Sequence, residues 1–151
     1  PPAWARHPKS PFSLSAMATP GNADTCRHTY VLSLGSNSGD RTRNLAAAIE
    51  ALRPFVDSTP VLSPVIETPS ITGFGAPYLN MAAQITTALE PHELNDILKH
   101  TERTLGRTLQ SKQEHQVTID IDIVLCDTHI LRPADYHTPH FQLCLSHLQN
   151  P

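Results

Sequence analysis

The chain has 151 residues and a formal net charge of −3 at neutral pH, with 39% hydrophobic and 5% aromatic residues. This length suits one domain with one core, and the short apolar runs exclude a membrane-spanning helix, which needs about 20 consecutive apolar residues. The weak acidic charge and the few aromatic side chains argue against nucleic-acid binding. The three cysteines form no C-x-x-C pair, which favours a reducing compartment, so we expect a cytoplasmic protein.

The first 28 residues differ in composition from the rest of the chain. They are rich in proline, contain no acidic residue before Asp24 and show no repeating apolar pattern. We interpret residues 1–28 as a disordered leader or extension, with Met17 as a candidate start, and residues 29–151 as the folded domain. An organelle-targeting peptide is the alternative, because such peptides also contain Arg and Ser and are poor in acidic residues.

Regular signals begin at Thr29. Residues 29–34 predict a strand that ends in a Gly-Ser-Asn-Ser-Gly turn, and Asp40 is suited to cap the helix that follows and ends before Pro54. Residues 61–68 predict a second strand, at an edge or with a bulge because it contains a proline. Alternating apolar residues then predict a third strand over 78–87.

Glu90 and Pro91 begin a second predicted helix, which ends at Gly106, and residues 119–125 predict a fourth strand. The order β-α-β-β-α-β is that of the ferredoxin-like α+β sandwich, an antiparallel sheet with the helices on one face. Some RNA-binding domains share this order. They need aromatic residues on the central strands and net positive charge, and this sequence has neither.

The most informative segment is Ile119-Asp120-Ile121-Asp122-Ile123. Side chains two residues apart on a strand share a face, so the isoleucines point to one side and the aspartates to the other. Two neighbouring carboxylates repel each other unless solvent or a cation screens them. The pair is therefore either a solvated strand face or a site for a hard divalent cation such as Mg²⁺, and the nearby Arg107 and Lys112 are suited to phosphate oxygens.

His137, His140 and Cys144 are a second candidate metal-binding group, because histidine and cysteine are zinc ligands. Their spacing matches no common structural zinc site, and no fourth ligand is evident. The pattern favours ordinary surface histidines.

Together these segments resemble the family of 6-hydroxymethyl-7,8-dihydropterin pyrophosphokinases. The matching segments, in the family's order, are Leu34-Gly35-Ser36-Asn37, Gly39-Asp40-Arg41, Asn44-Leu45, Glu67-Thr68-Pro69, Tyr78-Leu79-Asn80, Leu105-Gly106-Arg107 and residues 119–123. The resemblance implies transfer of pyrophosphate from ATP to 6-hydroxymethyl-7,8-dihydropterin, which gives AMP and the pterin diphosphate in folate biosynthesis. It implies small-molecule partners, ATP as co-substrate and two Mg²⁺ ions, and it leaves the oligomeric state open.

The resemblance also implies roles for individual residues. Asp120 and Asp122 match the family's magnesium-binding aspartates, and Arg107 completes the implied catalytic group. The positions implied to bind the pterin are Thr68, Ile71, Tyr78 and Asn80. The positions implied to bind ATP are Glu102, Arg107 and His140, with Lys112 as a candidate to replace a missing arginine.

The chain departs from the family pattern in two places. Leu109 and residues 114–117 stand where the family has phosphate-binding arginines and a tryptophan, and Ser146 and Gln149 stand near its C-terminal arginine and phenylalanine. These departures support an alternative function, a catalytically weak or inactive homologue that binds pterin or nucleotide.

Overall fold

The computed structural model describes residues 26–70, 72–106, 111 and 113–150. The elements within these ranges are, in chain order, β1 (His28–Ser36), α1 (Arg41–Leu52), β2 (Val61–Leu62), β3 (Ile66–Thr68), β4 (Tyr78–Thr87), α2 (Pro91–Thr104), β5 (Asp120–Cys126), β6 (His129–Ile130), α3 (Pro133–Tyr136) and α4 (Pro139–Gln149). Residues 1–25 of the predicted leader lie outside the described ranges. No helix in these ranges is long and apolar enough to span a bilayer.

The strands form one antiparallel sheet in the order β2-β4-β1-β5-β6, and β3 pairs with β4 on the same side as β2. The central strand β1 has β4 on one side and β5 on the other. The predicted α+β class and the ferredoxin-like β-α-β-β-α-β order are therefore confirmed. Both strands that border β1 come from later in the chain, so the N-terminal strand lies at the centre of the sheet.

One predicted strand is divided in two. Residues 61–68 form β2 and β3, separated at Ser63 to Val65. Pro64 has no N–H group for the ladder, and the buried Ser63 replaces part of the lost pairing: its N–H donates to Ala82 O at 2.9 Å, and its Oγ accepts from Ala82 N at 2.8 Å.

The main core lies between the sheet and helices α1 and α2. Leu32, Leu34 and Ile121 are fully buried on this face, against Leu52 of α1 and Leu98 of α2. Both helices begin at a side-chain cap: Asp40 accepts from Arg43 N at 3.1 Å, and Glu90 forms a capping box with Glu93. The two predicted helices therefore lie on one face of the sheet, as expected.

Helix α4 covers the opposite face and was not predicted from the sequence. Its apolar side chains recur with the helical period and pack on alternate strand residues of β1, β4 and β5; this second core contains Val31, Ala82, Val124, Phe141, Cys144, Leu145 and Leu148. Leu32 pairs with Ile123 and Val31 with Leu125, so Val124 is the extra residue of a β-bulge. Since Cys144 is buried in this core, the structure argues against its grouping with His137 and His140 in a zinc site.

Replacing Phe141 by Ala is expected to lower the free energy of unfolding by about 3–5 kcal/mol, because its ring fills the space between α4 and the sheet. Urea unfolding followed by circular dichroism measures the change. Leu143→Ala is the control, since Leu143 is 50% exposed on the same helix and its loss should cost less than about 0.5 kcal/mol. Equal stability of the two variants would contradict the packing of α4.

Candidate active site

The floor of the candidate site is a row of residues across three strands. Gly35 of β1 pairs with Asn80 of β4 on one side and with Asp120 of β5 on the other. A Cβ atom at position 35 would lie 3.4 Å from both Asn80 Oδ1 and a ring carbon of Tyr78. The absence of a side chain at Gly35 thus leaves space between an amide on one neighbouring strand and a carboxylate on the other.

Asn80 is held in a defined orientation. Its Nδ2 donates to Thr68 Oγ1 at 2.7 Å and to Ile66 O at 3.2 Å. Because the Ile66 carbonyl can only accept, these bonds identify the amide nitrogen and turn Oδ1 toward Gly35. β3 therefore aligns Asn80, and Thr68 and Tyr78, which pair across β3 and β4, line the cleft beside it.

Asp120 and Asp122 lie on the same face of β5, as the alternation predicts. The intervening Ile121 is fully buried on the other face, and both carboxylates line the cleft. Burial, together with the negative charge of Asp120, raises the pKa of Asp122, while Lys99 opposes the shift. The pair thus presents two adjacent carboxylates in a half-buried position, which is a donor set that hard divalent cations prefer.

A half-buried ion-pair network connects this strand to helix α2. Lys99 Nζ is 3.0 Å from Glu102 Oε2, 3.1 Å from Asp122 Oδ1 and 3.1 Å from the carbonyl oxygen of Ile121. Glu102 Oε2 also accepts from Ile121 N at 2.7 Å. Burial raises the pKa of Glu102, and the bonds from Ile121 and Lys99 counteract this. The network fixes helix α2 to the strand segment that carries both aspartates.

Asn37 connects the two loops that border the cleft. Its Nδ2 donates to Ala76 O at 3.3 Å and to His115 O at 3.1 Å, and its Oδ1 accepts from Val117 N at 2.6 Å. Gly75 has a left-handed backbone conformation, with φ at +83°, and a Cβ there would lie 2.9 Å from His115 O. The close approach of the two loops therefore depends on the absence of a side chain at position 75.

The third wall of the cleft comes from the chain after β5. His140 lies in the first turn of α4 and lines the cleft together with Asp135. Arg132 Nη1 is 3.8 Å from Asp122 Oδ1, and its Nε donates to Asp135 Oδ2. Positive charge thus approaches Asp122 from two directions, from Arg132 near the cleft and from Lys99 beneath the strand.

Most of the predicted site residues meet in this one cleft, which has a volume of about 960 Å³. The predicted residues that line it are Thr68, Tyr78, Asn80, Asp120, Asp122 and His140. Glu102 is 3% exposed and does not line the cleft; its carboxylate bonds to Lys99 Nζ and to Ile121 N of β5. Ile71, Arg107 and Lys112 lie outside the described residues, and their roles stay predictions.

A comparison with known protein families identifies the family of this chain. The family model described as 7,8-dihydro-6-hydroxymethylpterin-pyrophosphokinase (HPPK) matches residues 31–148, which include β3, β4 and β5 in full and β1 from Val31 onward. The chain belongs to this family. The match to the HPPK family extends into α4. It therefore includes the strands on both sides of β1 and helices on both faces of the sheet.

Individual HPPK relatives agree with this assignment. A protein of Porphyromonas gingivalis named 2-amino-4-hydroxy-6-hydroxymethyldihydropteridine pyrophosphokinase is 38% identical over 117 residues, which is 74% of this chain and 79% of that protein. One of the same name from Aquifex aeolicus is 35% identical over 114 residues, 74% of this chain and 69% of that protein. A folate synthesis bifunctional protein of Arabidopsis thaliana is 31% identical over 111 residues, 73% of this chain and 23% of that protein.

Sequence reasoning did not identify Lys99, Arg132 or Asn37 as parts of the site. Asn37 belonged to a recognised turn, but its bonds reach residues 76, 115 and 117, which no local pattern relates to it. Lys99 lies three residues before Glu102 on α2, a spacing that brings side chains together on a helix. That spacing was the available signal, although it did not indicate the contact with Asp122.

Lys99→Met is expected to lower the free energy of unfolding by about 1–3 kcal/mol, because it removes the ammonium group that bonds to the buried Glu102 carboxylate and to Asp122. The expected loss is smaller than the roughly 3–5 kcal/mol lost when a fully buried ion pair is broken, because the Lys99 side chain is 34% exposed. Chemical denaturation provides the measurement. A double variant with Glu102→Gln should recover part of the loss, since the amide still accepts from Ile121 N. A fully stable single variant would contradict the network.

Burial lowers the pKa of His140, and Asp135 offsets this only in part. The unfolded chain therefore binds a proton at higher pH than the folded chain, so stability should fall as the pH drops through about 6.5 and level off below the lowered folded pKa. His140→Gln should reduce this slope in urea titrations at a series of pH values. His147→Gln, at an exposed position of the same helix, is the control. An unchanged slope in His140→Gln would contradict the lowered pKa of this half-buried histidine.

Proposed function

We propose that this chain transfers pyrophosphate from ATP to 6-hydroxymethyl-7,8-dihydropterin, giving AMP and the pterin diphosphate. The observation that carries the proposal is the single cleft in which Thr68, Tyr78 and Asn80 face Asp120 and Asp122 across Gly35. One side offers amide, hydroxyl and aromatic groups for a flat polar heterocycle. The other side offers two carboxylates that can hold the divalent cations on which phosphate transfer depends.

The β3–β4 side is suited to the pterin. A pterin ring has adjacent donors and acceptors on one edge, and the fixed Asn80 amide presents its Oδ1 toward the space above Gly35. Tyr78 lies beside this space, with a ring carbon 3.4 Å from the position of an added Cβ at Gly35. We therefore assign Thr68, Tyr78 and Asn80 to pterin binding, and Ile71 joins them from the sequence alone.

The β5 side is suited to the phosphates and to Mg²⁺. Asp120 and Asp122 offer carboxylate oxygens on one face of a strand, and the pKa of Asp122 is raised by its burial and by Asp120, so a cation here would relieve an existing repulsion. These two residues would hold Mg²⁺, which we expect as two ions. Bound there, Mg²⁺ would offset the negative charge of the ATP phosphates.

The remaining ATP-binding residues are proposed in part from sequence. His140 lines the cleft near Asp135 and can contact a phosphate. Arg107 and Lys112 are proposed to bind phosphate oxygens, with Arg107 the better suited because guanidinium binds them in a bidentate manner. Glu102 is proposed to act on ATP indirectly, through the position of β5, because its carboxylate bonds to Ile121 and Lys99.

The reaction follows from this division of the cleft. The pterin hydroxyl attacks the β-phosphorus of ATP, the bond to the α-phosphate oxygen breaks, and AMP leaves. Such transfers depend chiefly on alignment and on charge compensation, so the task of the chain is to hold the two substrates in line. The strand row Asn80, Gly35 and Asp120 provides a fixed reference for both.

Asp120→Asn is expected to reduce the rate of AMP release by about 10²–10³-fold, because it removes one of the two carboxylates proposed to hold Mg²⁺ and so weakens the compensation of phosphate charge. The assay follows AMP formed from ATP with the hydroxymethyl pterin and Mg²⁺. Glu50→Gln is the control, since Glu50 is an exposed carboxylate on α1 that pairs with Arg53. Parental turnover in Asp120→Asn would contradict the assignment.

A second candidate function is a catalytically weak or inactive homologue that binds pterin or nucleotide. It is favoured by Leu109, Glu114 and His115, which stand where the resemblance would place arginines and a tryptophan. Calorimetric binding of the pterin without AMP release would select this function. Failure of both ligands to bind in the presence of Mg²⁺ would contradict both functions.

A further inference from the structure

Three metal-ligating side chains converge at the end of the sheet that lies away from the active-site cleft. His28 Nδ1 is 2.8 Å from Asp127 Oδ2 and 3.9 Å from Cys126 Sγ, and Cys126 Sγ is 3.8 Å from Asp127 Oδ2. In the part of the chain that the structure describes, no other group of three such residues brings its ligand atoms within 4.8 Å of one another. Roughly 23 Å of strand β1 separates His28 from Gly35 in the cleft.

Neighbouring groups orient two of these side chains. Glu90 Oε2 is 3.0 Å from His28 Nε2, and Thr29 N donates to Asp127 Oδ1 at 2.9 Å. A carboxylate on the far ring nitrogen is the common outer partner of a metal-bound histidine, because it fixes the ring and leaves the other nitrogen for the metal. Glu90 holds that position relative to His28 Nδ1.

We propose that His28 Nδ1, Cys126 Sγ and Asp127 Oδ2 form a site for Zn²⁺ or a divalent cation of similar softness. Tetrahedral Zn²⁺ with bonds of about 2.0–2.3 Å places its ligand atoms about 3.3–3.6 Å apart. The sulfur therefore moves inward by a few tenths of an ångström, and Nδ1 and Oδ2 separate by about 0.5 Å. Side-chain rotations of this size leave the backbone in place.

The ligand types set the selectivity of the site. A cysteine thiolate and an imidazole favour Zn²⁺ and Co²⁺ over Mg²⁺ and Ca²⁺, which take oxygen ligands. The ion takes the place of any proton on His28 Nδ1 and of the proton on the Cys126 thiol. The resulting complex of the ion with thiolate, carboxylate and neutral imidazole is electrically neutral.

The site is accessible and has room for a fourth ligand. The side chains of His28 and Asp127 are 20% and 43% exposed, while Cys126 is buried against the core. The site joins the start of β1, the turn after β5 and, through Glu90, the N-terminus of α2. Water or an external ligand completes the tetrahedron.

Cobalt binding tests the proposal directly, because a Co²⁺–thiolate bond gives a near-ultraviolet charge-transfer band. The parent is the full chain carrying Cys26→Ser, since Cys26 is an exposed free cysteine near His28. We expect the band with Co²⁺, its loss on adding equimolar Zn²⁺, and its retention in a large excess of Mg²⁺. Cys126→Ser should abolish the band, and Glu90→Gln should weaken binding about 10–100-fold.

Two further variants keep the test decisive. Asp127→Asn changes an exposed side chain at a left-handed position that asparagine tolerates, so it should fold and bind Co²⁺ more weakly. Cys144→Ala removes a thiol on the opposite face of the sheet and should leave the band unchanged. Absence of the band in the parent, its survival in Cys126→Ser, or unchanged affinity in both Asp127→Asn and Glu90→Gln would overturn the proposal. Circular dichroism confirms folding of each variant.

Discussion

The candidate site depends on holding two like charges side by side on β5. Carboxylates of Asp120 and Asp122, at a strand spacing of roughly 6.6 Å, repel by about 2.5 kcal/mol at an effective dielectric near 20. Lys99 offsets part of this from beneath the strand, and it is itself held by the buried Glu102. Because Glu102 also accepts from Ile121 N, the Lys99–Glu102 pair that offsets the charge of Asp122 also fixes the strand. The remaining repulsion is what suits the pair to a divalent cation.

The sheet places the two proposed substrates by strand pairing. β1 aligns Asn80 on one side of Gly35 with Asp120 on the other, so the distance between the pterin side and the phosphate side is set by backbone hydrogen bonds. Asn37, at the end of the same strand, joins the two bordering loops. The floor of the cleft is therefore built on paired strands, and loops and the start of α4 supply its walls.

The two ends of β1 carry different chemistry. The end near Gly35 offers oxygen ligands and open space, which suits Mg²⁺ and phosphates. The end at His28 offers nitrogen, sulfur and one carboxylate oxygen, which suits a softer ion. In both places a further carboxylate supports the candidate ligands: Glu102 bonds to the backbone between the two aspartates, and Glu90 bonds to the ring of His28.

The sequence alone determined the features that depend on local periodicity. The alternation in residues 119–123 fixed the shared face of the aspartates, and the cap residues and apolar spacing fixed α1 and α2, because these patterns need only one element and its buried side. Tertiary structure decided the contacts between elements distant in the chain. Lys99 reaches Asp122 across 23 positions, and α4 acquires its place only because Val31, Ala82 and Val124 leave an apolar face open. Sequence spacing carries no record of such pairings, since they arise from the order in which strands join the sheet.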